Sequence, residues 1–248
     1  MLISTYRERH RRNNEKIKIL LNFLKEETYS DFKILMLLFD FKNHKPLYLL
    51  LAKAIKMGWV QKHEFDTRTG KIALWGITSD GLAVVVKPKD DIFPARFEPS
   101  RLTGWTLEHH LDNQAARLIL EKKGATGWIN GDRSTFLSQY QVKHRPDGLI
   151  TLPDGQVIAV ETERRLKTKA RYQSIIASHL LARTHKHWMY VFYIVPDPQK
   201  KRALELLFAS IKHVIVNHQP IPLEARHWNV FRIYTLAELR QLELGQYS

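Results

Sequence analysis

One stretch of the chain concentrates the residue types of metal-assisted chemistry: Arg145-Pro-Asp-Gly-Leu-Ile-Thr-Leu-Pro-Asp-Gly-Gln-Val-Ile-Ala-Val-Glu-Thr-Glu163. Two apolar runs flank Pro153-Asp154-Gly155, the composition of a tight hairpin. A three-residue loop with Gly155 in the left-handed position sets Leu152 opposite Gln156, and counting back puts Asp147 opposite Glu161. Glu163 lies two residues on and shares Glu161's face, because strand side chains alternate. The pattern predicts three carboxylates converging at the open end of a buried hairpin. Like charges held so close repel, and one takes up a proton unless a cation intervenes. Mg2+ or Mn2+ meets that need, since hard cations take carboxylate oxygens and keep waters. Such an ion acidifies a water and screens the charge that develops on a phosphodiester in its transition state. Asp147, Glu161 and Glu163 are therefore the expected metal ligands, with Glu163 as a further ligand or a base. The plainer alternative is a surface network of these carboxylates with Arg164, Arg165 and Lys167.

Neighbouring residues extend the set. Lys167 follows Glu163 by four residues and Arg171 follows Lys167 by four, so both are expected on a helix beginning near Leu166, with Lys167 against the phosphate. A helix expected over 106–124 carries Glu108 with Asp112 and His109 with Asn113, each pair one turn apart. His109 and Asn113 are candidates to support the site, although such a stripe is also an ordinary polar face. Tyr140 and Tyr172 lie near the acidic motif, but most tyrosines are packing residues. His185-Lys-His187 falls at a helix-to-strand junction, where the helix dipole alone favours these residue types.

At these positions the sequence resembles the PD-(D/E)XK nuclease superfamily. Pro146-Asp147 and Glu161 match its first two elements, and Glu163 stands where the pattern has lysine. That departure puts Lys167 forward as a displaced lysine, as in members that carry it on the following helix. The order of motifs is also similar to the replication-relaxation family, which includes the MobC-type relaxases of mobilisable plasmids. The resemblance spans roughly residues 15 to 243 and ends in Phe231-Arg-Ile-Tyr-Thr-Leu-Ala-Glu-Leu-Arg240. It implies recognition of a transfer origin as duplex and single strand, nicking of one strand, and cooperation with other mobilisation or coupling proteins.

The elements that must position these residues are readable in outline. Ile17, Leu20, Leu21 and Leu24 start a helical period after a basic arm carrying Arg7, Arg11 and Arg12. A second helix follows Ser30 as its cap, with Phe32, Leu35, Met36 and Phe39 on one face. A third runs from Pro46 to Gly58 and buries Leu47, Leu50, Leu51, Ala54 and Ile55. Strands around 59–65 and 71–78 then flank a turn at 66–70. Three helices closed by a hairpin predict a winged helix over residues 1–87, offering Tyr48, Lys53 and Lys56 to a groove and Arg68 and Lys71 from the wing. Prolines at 88, 94 and 99 mark 88–102 as a linker. In residues 103–248, alternating strands and helices predict a restriction-endonuclease-like mixed sheet flanked by helices, making the whole an α/β protein. Arg164 and Arg171 complete the candidate DNA contacts.

Composition bounds the reading. The 248 residues include 39 Lys+Arg against 25 Asp+Glu, a formal charge of +14 that favours a polyanionic partner such as DNA. The absence of cysteine excludes disulfides and thiolate-ligated metal. No apolar run reaches the ~20 residues of a membrane span, and the start lacks a secretory signal, so a soluble cytoplasmic protein is expected. The leading expectation is a Mg2+- or Mn2+-dependent, strand-specific DNA endonuclease of relaxase type. The alternatives are a non-catalytic winged-helix DNA-binding regulator and a restriction or repair nuclease with the same core.

Overall fold

Tyr6–Glu27 forms a single helix, α1, capped by Thr5, whose hydroxyl accepts from the Glu8 N–H. The basic stretch expected as an extended arm is therefore helical: the cap starts the helix well ahead of the apolar period. Ile17, Leu20, Leu21 and Leu24 are buried, as their spacing requires, while Arg7, Arg11 and Arg12 are exposed. The computed structural model describes residues 5–67, 70–88, 90, 94–216 and 218–246. It divides into two compact units, Met1–Leu111 and Asp112–Ser248.

In the first unit, β1 (Tyr29–Asp31) leads into α2 (Phe32–Phe39), then α3 (His44–Lys56), β2 (Val60–Thr67), β3 (Gly70–Ile77) and α4 (Ser79–Val85). Asp31, not Ser30, caps α2, because its carboxylate reaches the Ile34 N–H at 2.7 Å while Ser30 pairs in the strand opposite Trp75. Helix α3 buries Leu47, Leu50, Leu51 and Ala54; Ile55, expected inside, is exposed. The three strands form an antiparallel sheet in the order β1-β3-β2. The β2–β3 ladder runs on to Thr67 opposite Gly70, so the strands extend into the turn expected at 66–70. Arg68, the expected wing-tip contact, lies outside the described residues.

The proline-bearing stretch after α4 is tied to this unit at two described points. Asp90 accepts from the buried Lys25 at 2.6 Å. Phe97 is 2% exposed and its N–H bonds to the Ile77 carbonyl at 2.9 Å. Its ring lies over Gly76, where an added Cβ would come within 2.1 Å of it. Glycine in β3 is thus the seat for an aromatic plug, a reason for strand glycine that a period-2 reading does not supply.

Helix α5 (Gly104–Lys122) belongs to the first unit up to Leu111 and to the second from Asp112. The second unit continues through β4 (Thr126–Asn130), α6 (Ser134–Gln139), β5 (Gly148–Thr151), β6 (Val157–Thr162), α7 (Lys169–Thr184), β7 (Tyr190–Val195) and α8 (Pro198–Ser210). It ends with β8 (His213–Val216), β9 (Gln219–Pro222), α9 (Ala225–Trp228), β10 (Phe231–Thr235) and α10 (Leu236–Gln241). Five strands make a mixed sheet in the order β10-β7-β6-β5-β4. β4, β5 and β6 pair antiparallel, whereas β6, β7 and β10 are parallel. The α/β expectation holds for this unit. Central β6 and β7 read as continuous apolar runs because both their faces are covered. β8, expected in the mixed sheet, pairs with β9 instead. No helix among the described residues is long and apolar enough to cross a membrane.

The Phe97 seat can be tested directly. Gly76→Ala is expected to destabilise the first unit by about 1–3 kcal/mol, the usual cost of overpacking, read as a lower urea midpoint. An unchanged midpoint would show that the ring is free to move aside.

Candidate metal centre

The hairpin that carries the acidic motif has the register counted from its sequence. Gly148 pairs with Val160 and Thr151 with Val157, and the Leu152 N–H reaches the Gln156 carbonyl at 2.8 Å. The ladder stops at Gly148, and the Asp147 N–H turns to the Val160 carbonyl at 3.0 Å, so the pairing of Asp147 with Glu161 expected from the count is not part of it. Gly155 takes a left-handed φ of 86°, which closes the loop.

Two further glycines hold Asp147 in place. The Gly131 N–H donates to the Asp147 carbonyl at 3.0 Å, and a Cβ on Gly131 would sit 1.8 Å from the Pro146 oxygen. A Cβ on Gly148 would meet the Trp128 ring at 2.3 Å. The Asp147 carboxylate turns back onto β6 and accepts the Thr162 N–H at 2.6 Å.

Glu161 points beneath α7 and is 5% exposed. One of its oxygens, Oε1, is shared by two imidazoles: His144 Nε2 at 2.8 Å and His179 Nε2 at 3.0 Å. His179 is fully buried on α7. His144, in the loop before Pro146, is pinned by its own N–H to the hydroxyl of Ser178, the helix residue beside His179. Burial by itself would push the Glu161 carboxyl up; the hydrogen bonds and charge of His144 and His179 outweigh it and hold it down at about 2. Burial pushes His179 down, against the pull of Glu161, so its ring favours the neutral form. His144, Glu161 and His179 together could hold a metal ion: one ligand atom from each lies within 4.8 Å of the others.

Glu163 is 4% exposed and has a separate set of partners. It accepts from Lys167 Nζ and, at 2.7 Å, from the Tyr172 hydroxyl. Tyr172 is fully buried, and burial together with the charge of Glu163 raises its pKa strongly. Between the two glutamates, Thr162 donates to Asn113 Oδ1 at 3.2 Å, and Arg164 pairs with Asp112.

The expectation put three carboxylates on one cation, whereas among the described residues the group with metal-ligand spacing is His144, Glu161 and His179. Glu161 takes the two imidazoles, Glu163 takes Lys167 and Tyr172, and the contacts of Asp147 include the Thr162 N–H. Lys167 precedes α7 instead of lying on it, because Thr168 caps the helix through the Arg171 N–H and starts it at Lys169. Its ammonium nonetheless reaches Glu163. Arg171 is exposed on α7, and Asn113 supports the strand through Thr162. His109 belongs to the first unit. Tyr140 packs against Phe136 and Trp188. His185 and His187 stand edge to face at 5.7 Å, outside the His144–Glu161–His179 group.

His144 and His179 escaped the sequence reading. They lie 17 and 18 residues from Glu161 in opposite directions, and no local spacing joins them. The one signal in the sequence was a helix residue, His179, on the apolar stripe with Ile175, Ile176 and Ala182.

In the first unit, Tyr48 and Lys56 are exposed on α3, and Lys53 reaches Asn14 at 3.4 Å. Lys71 is exposed opposite Asp66 on the hairpin. Comparison with protein-family models, curated proteins and solved structures gives no match, so the reading of the site rests on its geometry.

The depressed His179 gives a signed pH dependence. The unfolded imidazole takes up its proton near 6.5, so the folded state binds fewer protons below that pH and loses stability on acidification. Glu161 adds a second loss as pH falls from 4.5 toward about 2. The urea midpoint is expected to drop between about pH 7.5 and about pH 5.5, and to drop less in His179→Gln. Equal slopes in the two proteins would assign the dependence to other groups.

Proposed function

We propose that this chain is a divalent-metal-dependent DNA endonuclease of the relaxase type, which nicks one strand at a transfer origin. The observation that carries the reading is the placement of Asp147 and Glu161 at the open end of the β5–β6 hairpin, where the Asp147 carboxylate accepts the N–H of Thr162, the neighbour of Glu161. Glu161 is kept ionised there by two imidazoles. An ionised carboxylate at 5% exposure needs positive charge or several donors close by. The sheet order and the helix on either side of the hairpin agree with a restriction-endonuclease-like core. Three helices, a short first strand and a closing hairpin agree with a winged helix.

The donor set that fits a divalent ion is Glu161 with His144 and His179. Such an ion, when bound, would supply positive charge for the phosphodiester and lower the pKa of a water. The chain's own residues do the rest. Asp147 is held rigid by Gly131, Val160 and Thr162, so its carboxylate keeps one direction. Glu163 fixes the Lys167 ammonium, which remains partly exposed and within reach of a phosphate oxygen. Tyr172 donates its proton to Glu163 from a fully buried position, which makes it a poor nucleophile and favours water as the attacking group. Tyr48, Lys53 and Lys56 on α3, with Arg7, Arg11 and Arg12 on α1, supply a basic face for the duplex. The motif order is the reason to prefer a relaxase to a restriction or repair nuclease.

Supercoiled plasmid carrying a candidate origin tests the reading. With Mn2+ the wild type is expected to produce open circles, and Asp147→Asn and Glu161→Gln to lose at least about 100-fold in rate, the scale of removing one transition-state electrostatic partner. Both variants should still shift the DNA in gels, whereas Tyr48→Ala with Lys56→Ala should weaken the shift. Full nicking by both acidic variants would defeat the assignment. Tight binding with no cleavage of any DNA would favour the non-catalytic regulator.

A further inference from the structure

We propose that His144, Glu161 and His179 form a binding site for a borderline transition-metal ion, of the Co2+ or Zn2+ class, that discriminates against Mg2+. The inference shares with the proposed function the reading of Glu161 as a metal ligand, but it does not depend on DNA cleavage.

Three observations support it. First, the donors converge: both Nε2 atoms approach the same carboxylate oxygen, at 2.8 and 3.0 Å. An ion with bonds of about 2.0–2.1 Å in a tetrahedral arrangement separates its ligand atoms by about 3.3–3.4 Å. The two contacts to Glu161 need to open by only a few tenths of an ångström, and the ligand atoms of all three residues already lie within 4.8 Å of one another.

Second, the donors are held before any ion arrives. Ser178 and His179 are adjacent on α7; one fixes the His144 backbone and the other faces Glu161 directly. Glu161 comes from the centre of the sheet, between β5 and β7. A site whose ligands sit on rigid elements loses little freedom on binding.

Third, polar capacity at the cluster is unspent. The Tyr193 hydroxyl is buried without a hydrogen-bond partner, as is Nδ1 of His179. Tyr193 is the ladder partner of Glu161 on β7, and its ring centroid lies 6.5 Å from that of His179. Buried hydroxyls are nearly always paired. Among the described residues the unpaired Tyr193 hydroxyl, on the strand beside Glu161, marks a place for a further polar group.

The donor chemistry sets the class of ion. Two imidazoles and one carboxylate oxygen suit borderline metals, whereas Mg2+ prefers an all-oxygen, largely hydrated shell. The chain has no cysteine, so no thiolate competes for the ion.

Titration of the full-length chain with Co2+, followed by its visible absorption, is the test. The wild type is expected to bind one equivalent with the intense bands of four- or five-coordinate Co2+. Zn2+ should erase them, and millimolar Mg2+ should not. His144→Gln and His179→Gln are each expected to weaken Co2+ binding at least tenfold, while His185→Gln leaves it unchanged. His144 lies in a loop and is partly exposed, so its variant keeps the test decisive should His179→Gln fail to fold. Undiminished Co2+ binding in His144→Gln, or loss of the bands in His185→Gln instead, would overturn the proposal, as would a wild type with no saturable Co2+ band. Co2+ binding without cleavage of any DNA would leave this site standing and remove the nuclease. Asp147-dependent cleavage by a protein that shows no saturable Co2+ band would do the reverse.

Discussion

An ionised carboxylate buried in the middle of a sheet is the constraint around which the second unit is organised. Taking a charge of that size out of water costs several kcal/mol after relaxation. Glu161 meets that cost through two imidazole donors, each from a different part of the chain. Helix α7 therefore covers the sheet in two ways. Ile175, Ile176 and Ala182 supply apolar contact, and His179 supplies the polar one. A helix with apolar residues alone on that face would leave Glu161 without its buried donor, and a neutral residue at 161 would remove the reason for a buried histidine.

The same logic separates the two glutamates that share a face of β6. Glu163 takes an ammonium and a tyrosine hydroxyl, and Glu161 takes two imidazoles. Each glutamate is satisfied by its own partners, which lowers the mutual repulsion that proximity would otherwise impose. The partners are also graded in exposure. Lys167 and His144 stand toward the surface, whereas His179, Tyr172 and Tyr193 are closed in. Chemistry on a large substrate would have to use the outer members, with the inner ones holding them.

In the first unit the equivalent constraint is steric. Gly76 in β3 leaves room for the Phe97 ring, and Gly81 lets α4 approach the Trp59 carbonyl, where a Cβ would lie 2.1 Å away. These contacts fasten the chain after the hairpin onto the three-stranded sheet. The exposed face of α3, with Tyr48, Leu49 and Lys56, takes no part in that packing.

The sequence by itself determined whatever depends on neighbours in the chain. The hairpin register was readable because Pro153-Asp154-Gly155 allows one loop length, and the loop length sets every pair back to Gly148. The buried face of α1, and that of α3 apart from Ile55, followed from apolar spacing at the helical period. Tertiary structure alone decided which partners each carboxylate receives. His144 reaches Glu161 through a loop bonded to α7, and His179 reaches it through the crossover between β6 and β7, so no spacing rule relates the three residues. It also decided that Thr168 starts α7 too late to include Lys167, and that Phe97 rests on Gly76. Local chemistry sets periods and turns, but the environment of a buried charge is assembled from segments that meet only when the chain has folded.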